Sequence, residues 1–129
     1  MAVTEAVENY LEAILVLSYR QPDVHAVDIC NHLGYSRPTL SVAIKQMRED
    51  GLISVSGENH ITLTETGKKI AESIYERHNV IAAMLIAIGV KEETAYTDAC
   101  KIEHDISDET FECIKNHYAQ HHKKLKGKL

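Results

Sequence analysis

The chain is 129 residues long, with a formal net charge of −5 and 44% apolar residues. That content excludes general disorder and leaves room for one compact domain or two small ones sharing a core. No apolar run approaches the ~20 residues that span a bilayer, the first residues lack the basic stretch that opens a signal peptide, and three cysteines without a close pair suit a reducing cytoplasm better than a disulfide scaffold.

Residues 4–19 carry apolar side chains at 7, 10, 11, 14 and 17, which predicts a first helix with Thr4 as N-cap. Gln21, Pro22 and Asp23 break it. A short second helix is predicted over 25–33, with Ala26, Ile29, Cys30 and Leu33 inward. Gly34, Tyr35 and Ser36 turn the chain into a third helix, with Ser36 as N-cap, Pro38 in the first turn, Leu40, Ile44 and Met47 inward, and Gly51 at the end. Residues 52–63 read as a β-hairpin around Gly57, Glu58 and Asn59. This order is that of a winged helix-turn-helix. A long helix follows from Thr64 to about Ile88, with Gly89 as its stop. A fifth helix is predicted over 92–105. A sixth starts after Ser107 and frays into a Lys-rich end. The fold class is mainly α with a small β wing, divided into residues 1–72 and an all-helical part at 73–129.

The third helix is the candidate recognition helix. A major groove admits one helix, and the residues near its N-terminus reach base edges. Arg37, Thr39 and Ser41 can donate hydrogen bonds there, and Arg37 is the candidate for a guanine. Pro38 offers an apolar surface to a thymine methyl, and Ser36 opens the same turn. Lys45 and Arg48 lie further along, where phosphate is the expected partner. The charge balance opposes this reading. Residues 1–63 hold four Lys/Arg against eight Asp/Glu, so a DNA-binding face must gather its few cations locally. The wing tip carries no Arg or Lys.

Cys100, Glu103 and His104 fall at i, i+3 and i+4, one face of a continuous helix. A thiol, a carboxylate and an imidazole together form half a site for a divalent transition metal. Asn9 and Glu12 share a face of the first helix, and His78 ends the run YERH. Each of these has an ordinary alternative: a solvated carboxylate, a surface histidine, a small buried cysteine. Cys30 and Cys113 are expected in the core or in helix packing. His117, His121 and His122 suit a solvated helix end. No Ser/His/Asp set, phosphate loop or catalytic carboxylate pair is present, so an enzyme is not expected.

The runs ENYLEAI, LGYSRPTLSVAIKQM, ITLTETGKKIA, YERHNVI and DACKIEHDISDE, in this order and spacing, resemble the diphtheria-toxin-repressor-like family of metal-dependent regulators. That family includes the iron-dependent repressors and the manganese transport regulators. The resemblance implies a homodimer formed through the helical C-terminal part. It implies a palindromic double-stranded operator bound when Fe²⁺ or Mn²⁺ is present, and ligands at Asn9, Glu12, His78, Cys100, Glu103 and His104. A bound ion would then tie the two halves together. The donor set is a hybrid. Cys100 matches the iron type and Glu12 the manganese type. Asn9 matches neither, since iron-type members carry Met there and manganese-type members Asp. The thiol tilts the choice towards Fe²⁺, with Zn²⁺ or Co²⁺ as mimics in vitro. Ala82 and Tyr96 stand where the iron type's ancillary site has Glu and His, so that site is expected to be absent, as is the SH3-like third domain of some members. Two other readings stay open. One is a winged-helix regulator that needs no metal or senses redox state through Cys100. The other is a dimeric metal-binding module that binds no DNA.

Overall fold

A computed structural model describes residues 3–121 of the chain. It contains α1 (Glu5–Arg20), α2 (Ala26–Leu33), α3 (Arg37–Glu49), β1 (Ile53–Val55), β2 (Ile61–Leu63), α4 (Glu65–Ala87), α5 (Glu92–Ile102) and α6 (Asp108–His121). His122 and the Lys-rich end lie outside the described residues. The chain divides into two compact units, Met1–Glu72 and Ser73–Leu129.

In the first unit, local chemistry sets each boundary. Thr4 caps α1 by accepting a hydrogen bond from Val7 N at 3.2 Å. His25 begins α2, its backbone N–H donating to Asp28 Oδ2 at 2.9 Å as half of a capping box. Gly34 ends α2 at φ +76°, the left-handed region that favours glycine. Ser36 caps α3, and Pro38 sits in the first turn, where a missing N–H leaves no helical bond unmade. α1 packs on α2 and β2, while α3 packs on α2 and β1. Leu11, Ile14, Ile29, Leu40, Met47 and Leu52 are fully buried among these elements. Burying each such side chain contributes about 2 kcal/mol relative to leaving it in water.

The wing is a two-stranded antiparallel sheet with Ile53 opposite Leu63 and Val55 opposite Ile61. It is shorter than the predicted hairpin. Ser56 N bonds His60 O, and Asn59 takes the positive φ of +61° that the tight turn requires. Val24 O accepts from Ile61 N at 2.8 Å, so the segment after α1 borders the wing. Thr64 caps α4 by accepting from Gly67 N at 3.1 Å. A Cβ at Gly67 would lie 2.0 Å from Leu52 O, so α4 can start here only because this residue has no side chain.

The described residues of the second unit form helices joined by turns. Val80, Ile81 and Ala82 of α4, Ala99 of α5 and Phe111 of α6 form its core, with Leu85, Ile102, Ile106 and Ile114 packed against them. Two expectations are corrected here. Cys113 is exposed on α6 rather than buried, whereas Cys30 is buried as expected. Helix α5 stops at Ile102, not near residue 105, and Glu103 is its C-cap.

Candidate metal centre and nucleic-acid interface

All seven candidate DNA contacts (Ser36, Arg37, Pro38, Thr39, Ser41, Lys45 and Arg48) are exposed along α3. Their common face follows from the phase of Leu40 and Met47, which are buried on the other side. The hydroxyls near the N-terminus are engaged with each other: Ser36 Oγ donates to Thr39 Oγ1 at 2.9 Å, and Thr39 N donates to Ser36 Oγ at 3.4 Å. Val42, which sequence reasoning passed over, stands on this face 72% exposed. Its signal was available, because an apolar residue out of phase with Leu40, Ile44 and Met47 must face outward.

In the second unit His78 of α4, Cys100 of α5 and Glu103 converge. A ligand atom from each lies within 4.8 Å of the others. Nδ1 of His78 is 2.9 Å from Glu103 Oε2 and 3.7 Å from Cys100 Sγ. His104 joins through Glu103, its Nε2 lying 3.4 Å from Oε1. Cys100 is exposed, while the Glu103 side chain is 1% exposed. The single helix face expected for Cys100, Glu103 and His104 is therefore replaced by a helix and the turn after it. Asn9 and Glu12 belong to the first unit, where both are half-buried on α1.

The electrostatics of the cluster centre on His78. Its pKa is pushed up to about 10, first by the hydrogen bond with Cys100 and then by that with Glu103, against the opposing effect of burial. A buried carboxylate is costly unless it is paired, and the protonated imidazole supplies that pairing. Glu103 Oε1 is buried and makes no hydrogen bond, because the His104 contact has ion-pair distance without hydrogen-bond geometry. An orphaned buried acceptor beside sulfur and imidazole nitrogen is a donor set that fits a borderline divalent ion. His78, Cys100 and Glu103 could together hold one.

Arg77 is a second residue that sequence reasoning missed. It is only 8% exposed. Its Nη1 donates to Glu103 O at 3.1 Å and to Ile106 O at 2.8 Å, its Nη2 pairs with Asp108 Oδ1, and its guanidinium lies 5.2 Å from the centre of the Phe111 ring. No local pattern marks this residue, since every partner is at least 26 positions away.

Comparison with known proteins places both units. Residues 2–61 match the family described as "Iron dependent repressor, N-terminal DNA binding domain", and residues 64–128 match "Iron dependent repressor, metal binding and dimerisation domain". The chain is similar to the transcriptional regulator MntR of Escherichia coli, with 32% identity over 86% of this chain and 72% of the relative. It is also similar to the iron-dependent repressor IdeR of Mycobacterium tuberculosis, with 31% identity over 83% of this chain and 47% of the relative, so it spans about half of that protein. Among solved structures, a manganese-dependent transcriptional repressor in complex with manganese superposes with TM-score 0.79 at 26% identity, over 86% of this chain and 51% of that one. The manganese regulator SloR shares the fold with TM-score 0.76 at 24% identity, over 91% of this chain and 54% of that one. No described helix is long and apolar enough to cross a membrane. With one half matching a winged-helix DNA-binding domain and the other a metal-binding and dimerisation domain, the chain belongs to the iron- and manganese-dependent transcriptional repressor family.

Proposed function

We propose that this chain is a dimeric, metal-dependent repressor that binds a palindromic operator when loaded with Fe²⁺ or Mn²⁺, and that it acts in the cytoplasm as a regulator rather than an enzyme. The observation that carries the reading is the convergence of His78, Cys100 and Glu103, with His104 behind them, in the half that matches a metal-binding domain. Residues 1–72 take the DNA-binding role and residues 73–129 the metal and dimer role. Asn9 and Glu12 are added as ligands on family resemblance, Asn9 offering a neutral carbonyl oxygen. Arg37 reads a base, Thr39 and Ser41 assist it, Pro38 gives an apolar contact, and Ser36, Lys45 and Arg48 meet the backbone.

When bound, a divalent ion supplies positive charge and fixed coordination angles. Glu103 would contribute a buried oxygen, Cys100 a softer thiolate donor and His78 its Nδ1, with the thiol and the imidazolium each losing a proton to solvent. A dimer reads successive major grooves only when its recognition helices stand about 34 Å apart. If the metal-free chain holds that spacing in about 1% of molecules, apparent operator affinity falls about a hundredfold, roughly 2.7 kcal/mol. The direct test is operator binding with Fe²⁺ or Mn²⁺ and then with a chelator, and equal affinities would overturn the proposal. Alanine at Asn9 and at Glu12 tests those two assignments separately: an unchanged metal response removes them from the ligand set.

A further inference from the structure

We infer that Arg77 is a positioning residue of the metal site, fixing the turn between α5 and α6 and thereby aiming Glu103 and His104. The inference rests on the metal reading of the cluster. It begins with a helix that stops without a stop signal. α5 ends at Ile102, and neither glycine nor proline occurs between Ala99 and Ser107. The last carbonyls of a helix need partners from elsewhere. Arg77 takes Glu103 O and Ile106 O with the same nitrogen and holds Asp108, the first residue of α6, with the other. One side chain of α4 thus ties together the end of α5, the connecting turn and the start of α6.

The next residue on α4 is His78, so one helical register places both the imidazole ligand and the group that locks the turn opposite it. A planar, forked guanidinium reaches two carbonyls and a carboxylate at once. The single ammonium of a lysine cannot reproduce that geometry. The arrangement also divides the donors. Cys100 lies within α5, before the turn, and its place does not depend on Arg77. Glu103 and His104 lie in the turn, and theirs does. Losing Arg77 should therefore misplace two donors and spare the third, a pattern that general loosening of the fold would not give.

The test uses the full chain, with Co²⁺ under reducing conditions as the metal probe, and compares wild type with Arg77→Lys and Arg77→Met. In the metal-free proteins, amide exchange over residues 103–107 should quicken at least tenfold in both variants while the amides of Val80 and Ile81 keep their protection. Co²⁺ affinity should fall at least tenfold. At saturation the thiolate-to-cobalt absorption of Cys100 should persist while the visible bands, which report coordination, shift. Wild-type exchange or wild-type affinity in both variants would overturn the inference. Faster exchange with undiminished affinity would overturn it too, by reducing Arg77 to a structural tie. So would unfolding of both variants. A wild-type chain that takes up no Co²⁺ overturns the metal reading itself, an outcome visible before any substitution is made.

Discussion

The recognition helix and the metal cluster solve opposite problems. α3 displays its chemistry: Arg37, Ser41 and Lys45 point into solvent from a helix bounded by a serine cap and a glycine, and nothing buried depends on them. The cluster hides most of its chemistry: Cys100 is exposed, but Glu103 is fully buried, and its partner His78 is 25 positions away. A displayed site can change without disturbing the core. A hidden one is part of the core, so function and stability should move together there and separately in α3.

Five measurements would break or sharpen that contrast. The largest effect is expected at His78. Replacing it with alanine removes the partner of a buried carboxylate, which costs about 3–5 kcal/mol, and should weaken metal binding on the order of 100-fold or more, since even outer partners of a ligand are worth about 10–100-fold. A denaturant midpoint equal to wild type would break the coupling. Next comes Arg37→Ala, expected to cost about 1–3 kcal/mol of operator affinity and to relax preference at one base pair, with the denaturation midpoint unmoved. Lys45→Ala should instead weaken all duplexes alike and lower the salt slope by about one.

The fourth measurement is the pH dependence of metal binding. With His78 pushed up to about 10, binding must displace its proton and that of the Cys100 thiol, so affinity should climb at least tenfold per pH unit below that value. The stability of the metal-free chain runs the other way. A histidine whose pKa rises from 6.5 on folding gives its full stabilisation below 6.5 and loses it as pH climbs towards 10. Metal affinity that is flat between pH 6 and 9 would remove the imidazolium from the picture. The smallest effect is Ser36→Ala, about 1 kcal/mol of stability through the lost cap, read from a urea titration.

What could be read in advance follows the same division. The cap at Ser36, the break at Gln21–Asp23 and the phase of Leu40 and Met47 are local signals, and α1 to α4 fall within a residue or two of where periodicity puts them. His78, Cys100 and Glu103 were legible as candidates, but only resemblance to a family joined them, because no spacing rule brings position 78 to position 100. The end of α5 was illegible for a definite reason. It is set by Arg77, a side chain from another helix, while the local sequence KIEHD favours continuing the helix. The burial of Glu103 was missed with it, since a carboxylate on a regular helix face reads as solvated.

The hydroxyl pair at the head of α3 has a consequence for recognition. Ser36 already spends its hydroxyl proton on Thr39 Oγ1, which keeps its own. A base or phosphate that accepts from Ser36 must first open that bond, so that exchange is close to isoenergetic: an internal hydrogen bond is traded for an external one, and the net worth of each is only about 1 kcal/mol, whereas Thr39 can donate without opening it. Under the proposed role of α3, the Ser36 hydroxyl would orient a duplex without holding it. In that role, discrimination between operators would fall on Arg37 and on the apolar contour of Pro38 and Val42, and thymine methyl groups, as much as guanines, would be the feature by which this helix tells one sequence from another.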